Sequence, residues 1–173
     1  TVISRENHPV YPAVMTIGSI HGGKAPNVIP DYVEMSGTLR SLNAESREKM
    51  QNAIDRITKS CAEAMRGHAE ISWKKGMPPL VNNVEVIDGL QAAAEKTIGA
   101  DHVITIQNPS LGSEDFSYLF PKFAPGAQFW LGSGNDADPN TRHGLHNSKN
   151  VFDEKCLTAG AAVLVQYVRD FLA

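Results

Sequence analysis

At 173 residues the chain is long enough for one ordinary domain or two small ones, and its 42% apolar content can supply a buried core. A formal charge of −3 argues against a nucleic-acid or polybasic membrane-binding surface, and no apolar run approaches the ~20 residues that span a bilayer. No signal-peptide core stands at the start, and the opening on Thr1 in charged, loop-like sequence suggests a fragment or a processed product. The two cysteines, Cys61 and Cys156, fall within apolar helical patterns and read as small buried thiols. They are too few and too far apart for a disulfide framework or a cysteine zinc site, which suits a reducing, cytoplasmic setting.

The first half reads strand, strand, helix, strand. Ala13 to Ile20 (AVMTIGSI) is apolar and partly β-branched, as a strand requires. HGGKAPNVIPD is dense in turn formers and makes a loop. Tyr32 to Arg40 (YVEMSGTLR) alternates. Val33, Met35, Gly37 and Leu39 share one face, and Glu34, Ser36, Thr38 and Arg40 the other. In the stretch from Ser41 to Gly67, Met50, Ile54, Ile57, Cys61 and Met65 recur every three or four residues, predicting an amphipathic helix. Asn43 is its expected N-cap and Gly67 its expected stop. HAEISWKK, His68 to Lys75, alternates again. These elements form most of a split β-α-β unit on an antiparallel sheet.

GMPPLVNN breaks the pattern and marks a boundary near residues 76 to 84. Residues 1–80 and 81–173 are the two expected domains. Beyond the break, a helix capped by Asn83 leads to the short strand HVITI, then the apolar strand AQFWLGSG. Last comes the helix pattern DEKCLTAGAAVLVQYVRDFLA, apolar nearly all round and so expected to be well buried. Short apolar strands alternating with helices indicate an α/β layer structure.

Candidate chemistry lies in the loops. His146 follows the Gly/Asp/Asn/Pro-rich stretch GNDADPNTRHG, and loops at strand ends are where functional residues of α/β proteins gather. Histidine is the commonest metal ligand and a natural acid/base, although a lone histidine is as readily a passive one. His143 reads as a loop residue, because no HxxxH or HExxH pattern contains it. In GSEDF, Ser113 can cap a helix while Glu114 and Asp115 meet its positive end. Either carboxylate is equally open to a functional role. The Gly pair of HGGKAPNVIPD lacks the spacing of a phosphate loop. Arg40 is the one cation on the polar face of its strand, where a solvated charge is the plain reading. A bidentate grip on a carboxylate is the functional one.

IHGGKAPNVIPDYVEMSGTLRS, GSEDFSYLF and LHNSKNVFDE, in that order, resemble the second half of the metallo-amidohydrolases typified by hippurate hydrolase. Aminoacylases and glutamate-releasing carboxypeptidases are more distant relatives. The resemblance runs from ISRENHP onward. It implies an α/β fold in which a partial ferredoxin-like β-α-β lid, here residues 1–80, forms the homodimer. Residues 81–173 would be the C-terminal segment of the α/β metallopeptidase catalytic domain.

The same resemblance assigns roles. His146 would ligate one of two divalent metals, zinc or manganese. Asn27 would reach the substrate and Arg40 would hold its carboxylate. Glu114 and Asp115 would lie near the active site. The remaining ligands and the general base would lie on a preceding segment, so this chain alone would be inactive and would hold no metal stably. The implied reaction is hydrolysis of an N-acyl amino acid to a carboxylic acid and a free amino acid, with two metals acidifying a water. Arg40 and Asn27 would fix the carboxylate and the developing oxyanion. The rival from another class is a non-catalytic fragment with a dimerising or ligand-binding role, with no nucleic-acid or membrane partner in either case.

Overall fold

The computed structural model describes the backbone of residues 1–173 and every side chain except that of Pro121. The chain divides into two compact units. One comprises Thr1–Leu80 with Pro109–Tyr118, the other Val81–Asn108 with Leu119–Ala173.

The first unit is built on a hairpin. Strands β1 (Ala13–Gly22) and β2 (Val33–Ser41) pair antiparallel, with Met15 opposite Leu39 and Ile20 opposite Met35. The ladder shifts between Ile17, opposite Gly37, and Ser19, opposite Ser36, so Gly18 is the extra residue of a β-bulge. The bulge reverses the phase of β1. Ala13, Met15 and Ile17 share the apolar face before it, and Ile20 rejoins that face after it. The opposite face then collects Thr16, Ser19 and His21 from β1 with Glu34, Ser36, Thr38 and Arg40 from β2. Ser19 and Ser36 join their hydroxyls across it at 2.7 Å. Gly37 is required by this geometry, since a Cβ there would lie 2.2 Å from the Thr16 carbonyl oxygen.

Helix α1 (Ala44–Ala64) covers the near half of the apolar face. Met50 is fully buried and Ile54 nearly so. With Val2 they form a small core against which Ile3, Ala13, Met15, Leu39, Ile57 and Ile71 pack. Full burial of a side chain of this size contributes about 1.5–3 kcal/mol. Val2 belongs to a π-helical turn, Val2–Glu6, that the sequence pattern does not announce. Beyond this core the apolar face is exposed at Ile17, Ile20, Val33 and Met35, so β2 is less covered than its alternation predicts.

Asn43 caps α1 as expected, its side-chain oxygen accepting from the Ser46 N–H at 2.7 Å. The other end differs from expectation. The helix stops at Ala64, and Arg66, not Gly67, takes the left-handed conformation (φ 59°). The Gly67 N–H donates to the Ala62 carbonyl and the Arg66 N–H to that of Glu63, the bond pair of a Schellman motif. Cys61 lies on the exposed face of α1 and is not a buried thiol, because the core stripe narrows once β1 and β2 end.

His68–Lys75, expected as a strand, belongs to no ladder among the described residues. Alternation prepares a segment to be a strand, but pairing needs a neighbouring backbone. The segment is held by side chains. Ile71 joins the core, and the Trp73 indole N–H donates to Asp55 on α1 at 3.0 Å.

In the second unit, helix α2 (Val84–Ile98) begins at Asn83, which caps it through the Val86 N–H at 3.1 Å. The short helix α3 (Phe120–Phe123) and the long helix α4 (Lys155–Phe171) follow. α2 packs on α4, with Leu90, Ala93 and Val163 buried, while Gly160 gives room to the Leu131 side chain, whose Cδ2 would lie 2.8 Å from an added Cβ. Gly89 leaves room for the Tyr167 ring, whose Cε2 would lie 2.8 Å from an added Cβ. Lys96 and Asp170 close this helix pair with a 2.8 Å ion pair. α4 is buried on this side only. Leu157, Leu164, Val165, Val168 and Phe171 are exposed, which corrects the expectation of an all-round buried helix.

HVITI and AQFWLGSG likewise lie outside any ladder among the described residues. His102 ends a 3₁₀ turn, Ala100–His102, and the rest of HVITI runs on without a paired backbone. Around Gln128 a side chain replaces the missing strand. The Asn82 amide donates to the Gln128 carbonyl at 2.9 Å and accepts from its N–H at 2.8 Å, as one residue of a neighbouring strand would. No helix among the described residues is long and apolar enough to cross a membrane.

Candidate active-site residues

Arg40 stands near the end of β2, on the polar face, and its side chain is exposed. Its Nη1 donates to the Leu111 carbonyl at 2.9 Å and reaches the Ser113 hydroxyl at 3.5 Å. The guanidinium thus draws the GSEDF segment, 112–116, to the end of the hairpin. Asn27 lies in the exposed loop between β1 and β2, in a turn closed by the Val28 N–H on the Ala25 carbonyl.

The GSEDF segment enters a 3₁₀ turn, Asp115–Tyr118. The cap is made by Glu114 and not by Ser113. The Glu114 carboxylate accepts from the Phe116 N–H at 3.2 Å, because Ser113 has been drawn to Arg40. Glu114 is half-buried and Asp115 exposed. Ser117, in the same turn, is 2% exposed, and its hydroxyl has no hydrogen-bond partner among the described residues.

His146 belongs to the second unit and is exposed. It occupies the third position of a turn closed by the Asn147 N–H on the Gly144 carbonyl at 3.3 Å, and its backbone is left-handed, φ 66°. Glycine or asparagine normally takes that position of such a turn, so a histidine there is strained by about 1–2 kcal/mol. Strain of this kind concentrates at sites where a side chain has work to do. His143, three residues earlier, follows the 3₁₀ turn Pro139–Arg142 and is half-buried.

Among the described residues no group of three or more His, Cys, Asp or Glu side chains comes together to hold a metal. A protein metal centre takes three or four protein ligands. The donors among the described residues do not by themselves make up such a set.

A hairpin backed by one helix, and a helix pair with a loop-borne histidine, define a mixed α/β protein with a polar sheet face and two loop-rich candidate regions. Peptidase family M20/M25/M40 matches residues 5–170, and the chain belongs to that family. A protein of Synechocystis sp. described as a probable hydrolase is 36% identical over 162 residues, 94% of this chain and 41% of that protein. The N-acetyldiaminopimelate deacetylase of Bacillus pumilus is 31% identical over 169 residues, 98% of this chain and 43% of that enzyme. The crystal structure of the YXEP protein of Bacillus subtilis, described as a dinuclear metal-binding peptidase of the M20 family, superimposes with a TM-score of 0.77. The two are 27% identical, over 96% of this chain and 43% of that one. The chain therefore spans about two fifths of the length of the curated relatives it matches.

Thr141 and Asn135, which sequence reasoning passed over, take a central place in the loop that carries His146. Their only sequence signal was membership of a stretch rich in Asn, Asp and Pro, where side chains bond back to the main chain.

Proposed function

We propose that the protein carrying this chain is a metal-dependent amidohydrolase that cleaves the amide bond of N-acyl amino acids of the hippurate type. Family membership over residues 5–170 supports this reading, as does the description of a relative as a deacetylase of an N-acetylated amino acid. In this reading residues 1–80 are the lid through which two copies dimerise, and residues 81–173 are the C-terminal part of the catalytic domain. Two divalent metals, zinc or manganese, complete the enzyme with ligands from outside the described residues, and His146 supplies one ligand.

The observation that carries the proposal is the strained, exposed placement of His146 at a loop tip. A left-handed histidine with no burial to recompense it is best explained by a demand on the imidazole. Arg40 binds the amino-acid carboxylate from the polar face of β2, where a planar guanidinium offers two parallel donors. Asn27 adds an amide donor or acceptor from an exposed turn. Glu114 and Asp115 border this region through the Arg40–Leu111 bond.

The test is His146→Ala in the full-length protein, with bound metal and hydrolysis of N-benzoylglycine and N-acetyl amino acids measured together. The expected result is loss of one of two metals and loss of turnover. Unchanged metal content and rate would reject the assignment. For the 173 residues acting alone, the absence of a three-ligand cluster among the described residues favours a second reading, a non-catalytic module for dimerisation or carboxylate binding. It predicts carboxylate binding that a chelator does not alter.

A further inference from the structure

The loop from Ser133 to Asp153 is closed at its base. The Asp153 N–H donates to the Ser133 carbonyl at 3.1 Å, and the Asn135 amide donates to the Asp153 carboxylate at 2.8 Å. Inside this closure lies Thr141, 8% exposed. Its hydroxyl oxygen accepts from the Asn135 N–H at 2.8 Å and lies 2.6 Å from the Asp138 carbonyl and 3.1 Å from that of Asn135. A hydroxyl has one proton, so the shorter contact, to Asp138, is the donated bond. Asp138 in turn caps the 3₁₀ turn Pro139–Arg142 through the Asn140 N–H at 3.0 Å.

The tip of the loop hangs from the next residue. The Asn140 carbonyl accepts from the His143 N–H at 3.3 Å and from the Val151 N–H at 3.4 Å. The second bond closes residues 140–151 into a smaller loop, with His146 inside it. The left-handed turn of His146 is therefore suspended at both ends from Asn140, and Asn140 is held through its N–H and its amide by the Asp138 carboxylate, whose own carbonyl accepts from the Thr141 hydroxyl. From Asn135 the bonds continue through Asp153 to the first turn of α4, where the Asp153 carboxylate accepts from the Lys155 N–H at 3.0 Å.

We propose that Thr141 is a positioning residue for His146, a role that rests on the functional reading above only for what His146 then does. The hydroxyl joins the base of the loop to its tip and so holds the tip in the one arrangement in which His146 adopts its strained backbone. Removing it leaves the half-buried Asn135 N–H without its acceptor and takes from the Asp138 carbonyl the shorter of two bonds, the Thr141 N–H remaining at 3.1 Å. Freed of that clamp, the turn at 144–147 relaxes and the imidazole loses its fixed direction.

The experiment is amide hydrogen exchange together with imidazole NMR signals on the full chain carrying Thr141→Val, Thr141→Ser or Thr141→Ala, with His146→Gln used to assign the ring. In Thr141→Val, exchange at Val151 should rise by about tenfold, the effect of one buried hydrogen bond. The His146 ring signals should shift toward those of an unstructured histidine, while Leu90 and Ala93 in α2 keep their protection. Thr141→Ser, which retains the hydroxyl, should restore both readouts. His146 signals unchanged in Thr141→Val overturn the proposal, as does loss of protection spread equally over α2 or failure of the serine to rescue. Should Thr141→Val not fold, Thr141→Ala decides: a local change at His146 and Val151 supports the clamp, and no change there overturns it. None of these readouts uses catalysis, so a wild-type protein inactive on N-acyl amino acids would reject the functional reading and leave this inference standing.

Discussion

Arg40 donates to the carbonyl of Leu111 at 2.9 Å, joining the end of a strand to a segment 71 positions further along the chain. The acceptor is uncharged, so the bond orients the guanidinium without cancelling its charge. Under the proposed function, Arg40→Lys should raise the KM of substrates bearing a free carboxylate by about tenfold or more, because a lysine ammonium cannot make two parallel bonds. Carboxamide analogues of the same substrates should show little change. Equal losses on both, in steady-state kinetics, would mean that Arg40 acts through the 111–113 segment and not on the substrate.

Gly37 allows β1 and β2 to approach beside the bulge. A methyl group there would collide with backbone and not with a movable side chain. Gly37→Ala is expected to destabilise the protein by about 1–3 kcal/mol. At about 2–4 °C per kcal/mol for a chain of this size, that is a readily measured fall in melting temperature. Gly76→Ala is the control, since nothing lies within 4 Å of its added Cβ, and it should be close to neutral.

The Ser117 hydroxyl is buried without a partner among the described residues. An orphaned buried hydroxyl costs about 1–3 kcal/mol, so Ser117→Ala should leave stability unchanged or raise it by up to that amount in urea denaturation. A loss of more than about 1 kcal/mol would mean that the hydroxyl has a partner in solution.

Asp170 is held below the usual carboxylate range, first by its bond from Lys96, against a weaker opposing effect of burial, then by Gln166 and by the charges of Lys96 and Arg169. The folded state therefore binds fewer protons here than the unfolded chain. The resulting stabilisation is complete above the ordinary carboxylate pKa of about 4 and disappears as pH falls through the lower, folded value. Asp170→Asn should lower the melting temperature slightly at neutral pH and leave it nearly unchanged at the acid end, so that the acid side of its curve against pH falls less steeply. The effect should be small, because the group is well exposed to solvent. An unaltered acid side would show that Lys96 does not hold Asp170 in solution.

Helix starts were readable because they are local. Asn43 and Asn83 each need only an N–H three residues ahead, and both caps form as the sequence indicates. The Met50–Ile54–Ile57 stripe was readable for the same reason. The alternation of His68–Lys75 and the apolar run AQFWLGSG were read as strands without their counterparts, since a ladder depends on a second backbone that neither pattern can supply. Cys61 and the outer faces of α4 were misjudged because apolar periodicity says which residues can be buried, not what covers them. Of the candidate residues, Arg40 could be placed on a face by counting. Its bond to Leu111, and the left-handed backbone of His146, are products of tertiary closure and leave no mark on the local pattern.

Gly18 adds a residue to β1 without adding a rung to the hairpin. It could be removed and every cross-strand pair, from Ala13 with Ser41 to Gly22 with Val33, would keep its partner and its face. What would vanish is the bend, for a bulge increases the local twist and turns the strand beyond it. The outer half of the hairpin, with the loop that bears Asn27, is aimed by that single residue. The polar face near Arg40 and the loop at Asn27 can thus be steered against each other by the length of one strand, with no change in any side chain that either of them presents.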